Sequence, residues 1–255
     1  MDTLTNVPTQ KMTFSQSEKV MYRQFRKKIN AEAARAQIAK LEYDLADVKA
    51  GLAFLKTACG DANSLGLGGV CVLPCFVRQC AQLLGAESKA SLIACIGQPH
   101  GGDTTEIKVK AAKRAIKDGA DEVEVAAPTA HARENNFSYV KREFKKLRSA
   151  TKHKSLRIDL ECTLLTAEEV AKTCLIAADC GVNSIKLSGA NGLERIEAVK
   201  SAVKDKCTIK TEGVATVLEM SSAADRGATV LGSKNAADVA RAVLAAANDE
   251  ADDLK

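Results

Sequence analysis

Two lysines in short alternating runs are the residues of this chain best placed to do chemistry. They lie in Ile185-Lys186-Leu187-Ser188 and Ile209-Lys210-Thr211-Glu212, and a carboxylate sits in a third run, Val123-Glu124-Val125. Arg157-Ile158-Asp159-Leu160-Glu161 keeps the same rhythm. Successive residues of a strand point to opposite faces. The aliphatic members therefore share one face, and Glu124, Arg157, Asp159, Glu161, Lys186, Ser188, Lys210 and Glu212 share the other. Burying that many charges is expensive unless they pair, so a common polar face marks a site. The bland alternative is an inert ion-pair network, and Arg157 with Asp159 or Glu161 is its clearest candidate.

A lysine with the ordinary pKa of about 10.4 is protonated at neutral pH and cannot attack a carbonyl. Lowering that value by about three units takes about 4 kcal/mol against the charged form. A second ammonium at roughly 4–6 Å, with an effective dielectric near 20, supplies about 3–4 kcal/mol. Adjacent strands lie about 4.8 Å apart. If Lys186 and Lys210 sit on consecutive strands and face the same way, each is expected to depress the other's pKa. Glu124 would then move protons at the substrate carbons. Amine, electrostatic neighbour and carboxylate together favour carbonyl chemistry through a Schiff base, without choosing between aldol cleavage, dehydration and isomerisation.

These runs need a scaffold that brings them together. Strands are expected at 69–73, 91–96, 121–126, 156–161, 184–188, 208–212 and 228–232, with helices between them such as 105–118, 167–180 and 193–204. Thr166 with Glu169 three residues on is a capping-box pattern for the second of these helices. Strands alternating with helices of this length imply right-handed βαβ units and a parallel sheet. An eighth strand is placed at 37–41, followed by a helix over 46–58. Residues 16–34 form an extra helix within an N-terminal extension, 1–35. The reading is a single-domain (β/α)₈ TIM barrel over 1–255, with an open doubly wound sheet as the competing architecture. No Gly-rich fingerprint follows a strand where a dinucleotide would need it. In a barrel, sites form at the C-terminal ends of several strands, and alternate strands fill one interior layer. Residues of the fourth and sixth strands can therefore meet.

Composition agrees with that scaffold. Aromatic residues make up 4% of the chain and tryptophan is absent, so the core must come from aliphatics, as parallel strands under helices require. Nine cysteines, an odd number with no CxxC pair, suggest reduced thiols and a cytoplasmic setting rather than a disulfide framework. Cys71, Cys75 and Cys80 match no common zinc spacing, and the chain has three histidines, so neither metal nor cofactor is expected. A net charge of +5 is modest. The basic stretch 23–28 and the acidic stretch 248–253 read as solvated faces rather than a nucleic-acid footprint. No apolar run approaches the roughly 20 residues that span a bilayer, and the polar start lacks a signal-peptide stretch.

The chain also resembles the deoxyribose-phosphate aldolase family over roughly residues 69–247. The resemblance rests on Val70-Cys71-Val72-Leu73-Pro74, Gly97-Gln98-Pro99-His100-Gly101, Gly119-Ala120-Asp121-Glu122-Val123-Glu124-Val125, Leu160-Glu161-Cys162-Thr163-Leu164, Ile185-Lys186-Leu187-Ser188 and Ile209-Lys210, in that order. It implies that Lys186 is the imine-forming lysine, Lys210 its pKa-lowering neighbour and Glu124 the proton relay. Cys71 matches a cysteine beside the substrate, and Ser188, Gly213, Gly232, Ser233 and Lys234 fall in the substrate pocket. The implied reaction is reversible cleavage of 2-deoxyribose 5-phosphate to glyceraldehyde 3-phosphate and acetaldehyde, with no cofactor, in a homo-oligomer, most simply a dimer. The partner would be a small aldehyde or sugar phosphate.

The chain departs from the family pattern at several of these places. Glu124 replaces an aspartate, and an extra methylene can misplace the carboxylate enough to cost about 100-fold in rate. Leu187-Ser188-Gly189-Ala190-Asn191 stands where the family reads Thr-Ser-Thr-Gly-Lys. Glu212-Gly213-Val214-Ala215 stands in place of the phosphate loop Gly-Gly-Val-Arg. A first-strand Asp-x-Thr signature is not recognisable, and the chain has no C-terminal tyrosine. These departures imply weakened activity and leave two other readings open: an inactive relative kept as a binding or scaffold protein, and a Schiff-base enzyme acting on a non-phosphorylated carbonyl compound. His100 is expected to shape the rim, and the glycine pairs 68–69 and 101–102 to form turns.

Overall fold

β1 occupies Leu41–Leu45, a run of alternating residues ending in a loop, and it closes the sheet by pairing with strands on both sides. The others are β2 (Gly69–Val72), β3 (Ser91–Ile96), β4 (Glu122–Ala126), β5 (Ser155–Glu161), β6 (Ser184–Ser188), β7 (Thr208–Thr211) and β8 (Val230–Ser233). All pairs are parallel and follow chain order, and β8 returns to β1. The helices are α1 (Gln16–Arg26), α2 (Ala31–Ile38), α3 (Leu52–Leu65), α4 (Val77–Leu84), α5 (Thr105–Lys117), α6 (Thr129–Arg133), α7 (Phe137–Thr151), α8 (Ala167–Asp179), α9 (Gly192–Val203), α10 (Val217–Asp225) and α11 (Ala236–Asp253). This computed structural model describes residues 15–253. The first 14 residues of the expected N-terminal extension, and the side chains of the acidic stretch beyond 248, lie outside the described residues. The architecture is the (β/α)₈ barrel; closure of β8 onto β1 rules out the open sheet.

The beginning of the chain corrects three expectations. The first strand lies at 41–45 instead of 37–41, because residues 31–38 are helical. Asn30 caps that helix, its side chain accepting the N–H of Ala33. Gln37-Ile38-Ala39-Lys40-Leu41 is a short apolar–polar run that fits the end of a helix as well as a strand. The helix expected over 16–34 is two, α1 and α2, with the break at 27–30; a Ser15–Glu18 capping box starts the first. The helix expected over 46–58 begins only at Leu52, after a loop that forms part of the barrel's mouth.

Elsewhere strand parity holds. Val123, Val125, Ile158, Leu160, Ile185 and Leu187 are buried in the main core between strands and helices. Thr166 and Glu169 form the expected capping box at α8. The lumen carries only a small apolar cluster of its own, Cys71, Ile93 and Cys95. Most of the large side chains that share the interior with it are charged. Among the described residues no helix is long and apolar enough to cross a membrane. All nine cysteines are free.

Candidate active site

The floor of the lumen is organised by Arg157 on β5. Its Nη1 donates to Glu42 Oε2 at 2.7 Å and to Glu124 Oε2 at 3.0 Å, and its Nη2 donates to Glu42 Oε1 at 2.8 Å. Glu122 Oε1 lies 2.8 Å from Nη2. The expected partners, Asp159 and Glu161, are not used. Arg157 is level with Glu124 on one neighbouring strand and Ser184 on the other, and its long side chain reaches across the lumen to β1. Burial pushes the Glu42 carboxyl up, but Arg157 and then Lys210 outweigh that and hold it at about 2. Glu122 behaves oppositely: burial raises it more than Arg157 lowers it. One guanidinium thus anchors three carboxylates, two of them buried and Glu122 partly so. Arg157→Met should destabilise the fold by about 3–5 kcal/mol, since removing one partner of a buried pair strands the other. A urea midpoint unchanged from the parent would contradict that role.

Above this floor, Lys186 on β6 and Lys210 on β7 are register partners, and both amines point into the lumen. Glu124 bridges them, with Oε1 at 3.1 Å from Lys186 Nζ and Oε2 at 3.2 Å from Lys210 Nζ. The amines are not alone. Lys186 Nζ also lies 3.0 Å from Glu212 Oε2, 3.5 Å from Asp159 Oδ2 and 4.0 Å from Asp44 Oδ2. Lys210 Nζ lies 2.9 Å from Asp44 Oδ1 and 2.9 Å from Glu42 Oε2.

This arrangement reverses the expected lysine electrostatics. Burial opposes both charges, but Asp44, Glu124, Asp159 and Glu212 hold Lys186 well above the ordinary lysine value. Asp44, Cys71, Glu124 and Glu42 do the same for Lys210. The magnitudes explain the outcome. One neighbouring ammonium contributes about 3–4 kcal/mol against charge, whereas each carboxylate at roughly 3 Å contributes about 5 kcal/mol in its favour at the same dielectric. Several carboxylates outweigh one cation. Glu124 is in turn held well below the usual carboxylate range: burial pushes it up, but Lys186, Lys210 and Arg157 more than compensate. An ionised Glu124 is well suited to orient amines and poorly suited to donate protons.

Asp159 is the contrasting carboxylate. Burial raises its pKa more than Lys186 lowers it. Gln98 Nε2 donates to Oδ2 at 2.6 Å, and Oδ1 has no hydrogen-bond partner among the described residues. A carboxyl with a raised pKa, one oxygen unbonded and the other 3.5 Å from the Lys186 amine, is the better proton carrier.

The other nominated residues divide between wall and support. The cavity above Lys186, about 450 Å³, is lined by Asp44, Ala46, Asp47, Gln98, Lys186, Glu212, Gly213, Val214, Ala215, Lys234 and Asn235. Gly213 and Lys234 therefore stand at its wall, and Lys234 pairs with Asp47 at 3.3 Å. Gly213 adopts φ +79°, the left-handed region that favours glycine. Ser188 is buried and lies close enough to Asp159 to temper its rise. Cys71 lies beneath the cavity, fully buried against Lys210 Nζ at 3.1 Å. Burial pushes its thiol up. Ser233 does not join the lumen. By parity it faces away from inward-pointing Gly232, and its hydroxyl bonds Asn235 at the start of α11. Glu161, expected inside, instead accepts from Thr163 at the rim. His100 is exposed.

Gly232 acts by absence. A methyl there would run into the Asp44 carboxylate and come within 2.9 Å of Lys210 Cε. Gly232→Ala is expected to displace Asp44 and cost at least about 1–3 kcal/mol through overpacking, read by thermal denaturation together with loss of activity. A fully stable and active variant would show that the lumen can yield at this point.

Four contributors escaped the sequence reading: Glu42 and Asp44 on β1, Asp47 in the loop after it, and Gln98. Leu41-Glu42-Tyr43-Asp44-Leu45 has the same alternation as the other polar strands and could have been found by it. Cys71, Cys95 and Glu124 place three ligand atoms within 4.8 Å of one another. The Lys210 ammonium already bonds two of these residues, Cys71 and Glu124.

Comparison with known proteins places the chain in a lineage. No family model matches the chain. A deoxyribose-phosphate aldolase of Finegoldia magna is 32% identical over 178 residues, covering 68% of this chain and 83% of that one. Another from Frankia alni is 31% identical over 219 residues, 80% of this chain and 96% of the relative. A crystal structure titled as a putative deoxyribose-phosphate aldolase from Coccidioides immitis superposes with a TM-score of 0.76 at 20% identity, over 90% of this chain and 98% of that one. That likeness shows the shared barrel, while the identity to the two curated relatives shows descent. The chain belongs to the deoxyribose-phosphate aldolase family.

Proposed function

We propose that this barrel is a class I aldolase of the deoxyribose-phosphate aldolase type, with Lys186 as its imine-forming residue. The observation that carries the reading is the position of Lys186. Of the two luminal lysines it is the one at the cavity wall, while Lys210 is fully buried beneath it. The Lys186 amine, once neutral, adds to C1 of an open-chain 2-deoxy sugar and loses water to give an iminium. Removal of the C3 hydroxyl proton lets the C2–C3 bond break, and its electron pair flows into the iminium to form an enamine. The C3 fragment leaves as an aldehyde. Protonation of the enamine at C2 and addition of water then release acetaldehyde and regenerate the amine.

Asp159 is assigned the proton transfers, on the strength of its raised pKa and its distance from the amine. Glu124 orients both ammoniums, and Lys210 neutralises the carboxylates of Glu42, Asp44 and Glu124. The carboxylate ring favours positive charge at Nζ, which the iminium carries and a neutral imine lacks. Borohydride reduction in the presence of acetaldehyde should leave one ethyl adduct, on Lys186, seen by peptide mass spectrometry. An adduct on Lys210, or none at any pH up to about 10, near the ordinary lysine pKa, would defeat the assignment.

The dimer is also proposed, on the family resemblance together with the exposed Val48, Leu52 and Phe54 around the start of α3. Sedimentation velocity showing a monomer would remove it.

A further inference from the structure

Several of the backbone donors at the mouth of the cavity already have acceptors. Glu212, first residue after β7, turns its carboxylate across the entrance. Oε1 accepts the N–H of Gly189 at 3.0 Å, and Oε2 lies 3.0 Å from Lys186 Nζ. The N–H groups of Ala215 and Thr216, at the start of α10, both donate to Glu219 Oε2, at 2.8 and 3.0 Å. The N–H of Val214 donates to the carbonyl of Gly232, and that of Asn235 to the Ser233 hydroxyl. A phosphate is normally held by such N–H groups at a loop or helix N-terminus, with a cation beside them. Here each of these donors has an internal acceptor, and two of those acceptors are anions.

The side-chain charges point the same way. The cavity wall carries three carboxylates, Asp44, Asp47 and Glu212, against two ammoniums, Lys186 and Lys234. Neither cation is uncommitted: Lys186 faces four carboxylates, and Lys234 pairs with Asp47. Ala215 contributes only a methyl.

We propose that Glu212 is a specificity-determining residue that closes this end of the cavity to anions, so that the preferred substrate ends in neutral hydroxyl groups rather than a phosphate. The inference rests on the Schiff-base reading above and names its substrate class: a free 2-deoxyaldose or short hydroxyaldehyde. Hydroxyls suit the wall because they can donate to Asp47 and Glu212, which a phosphate dianion cannot do. The carbons broken and joined by Lys186 lie at the other end of the sugar and are unaffected.

The test compares kcat/KM for 2-deoxyribose 5-phosphate and 2-deoxyribose in the parent, Glu212→Gln and Glu212→Gly. Glu212 also touches Lys186, so its replacement alters turnover of both sugars. The ratio between them removes that shared effect. The parent should favour the free sugar or treat the two alike. Glu212→Gly should raise the ratio of phosphorylated to free sugar by about 100-fold, the scale of charge repulsion across roughly 4–6 Å, and Glu212→Gln should fall between. A parent that prefers the phosphorylated sugar tenfold or more, or a ratio that does not move in Glu212→Gly, overturns the proposal. Dissociation constants for the two sugars, from calorimetry on the same three proteins, give the ratio without turnover. A protein that binds with the expected ratio but forms no borohydride adduct would sink the Schiff-base reading and leave this one standing.

Discussion

Lys186→Met is expected to lower turnover by about 10⁴-fold or more, the scale on which covalent enzymes lose activity with their nucleophile. Lys210→Met should fail differently. Lys210 touches no cavity wall; it neutralises Glu42, Asp44 and Glu124 from below. Without it those carboxylates act on Lys186 undiminished, and the amine is held protonated more firmly. Activity should fall by about 10²–10³-fold, about 3–4 kcal/mol. The fold should also weaken by about 3–5 kcal/mol, because buried carboxylates lose a partner. The readout that separates the two lysines is the borohydride adduct. It should vanish in Lys186→Met, and in Lys210→Met it should form more slowly and only at higher pH. If both variants lose the adduct while remaining folded, the division of labour is wrong.

The second large effect concerns pH. Because four carboxylates hold Lys186 well above the ordinary lysine value, the neutral amine is a trace species at pH 7. Below the folded pKa its fraction rises about tenfold per pH unit. With a small unphosphorylated aldehyde, kcat/KM should therefore climb steadily on a logarithmic scale from pH 7 towards pH 10. Glu212→Gln removes one of the anions that favour the ammonium, so its profile should bend over at a lower pH than the parent's. A parent profile already flat at pH 7–8 would show that the carboxylates do not govern this amine. The linkage to stability has a definite sign: a raised folded pKa contributes stability below the unfolded value of about 10.4, lost as pH rises through the folded value. Denaturation curves at each pH separate that loss from the rise in rate.

Much of the scaffold is written locally. Seven strands fall where β-branched runs and turn residues place them, and the period-2 runs separate lumen from shell at Lys186, Lys210, Glu124 and Arg157, because the pleat leaves a strand no other choice. The one strand misplaced, β1, shows the limit of local pattern. Gln37–Leu41 and Leu41–Leu45 are both short runs of mixed apolar and polar residues, and the Asn30 cap, acting over the turn before, starts the helix that takes in the start of the first. That single shift hid Glu42 and Asp44, and with them the electrostatics of the site. The local sequence puts Glu212 in place of the phosphate loop, but its contacts with Gly189 and Lys186 come from the neighbouring strand and are not written in its neighbours in the chain.

Strand alternation is enough to place two amines and several carboxylates inside a parallel barrel, since it fixes the face on which each residue lies. The sign of the result comes from the closed ring. Whether Lys186 is held neutral or charged depends on how many anions lie within a few ångströms of Nζ, and those come from β1, β4, β5 and the loop after β7, strands far apart in the chain. Charge interactions fall off with distance in space, and closure of the ring is what sets those distances.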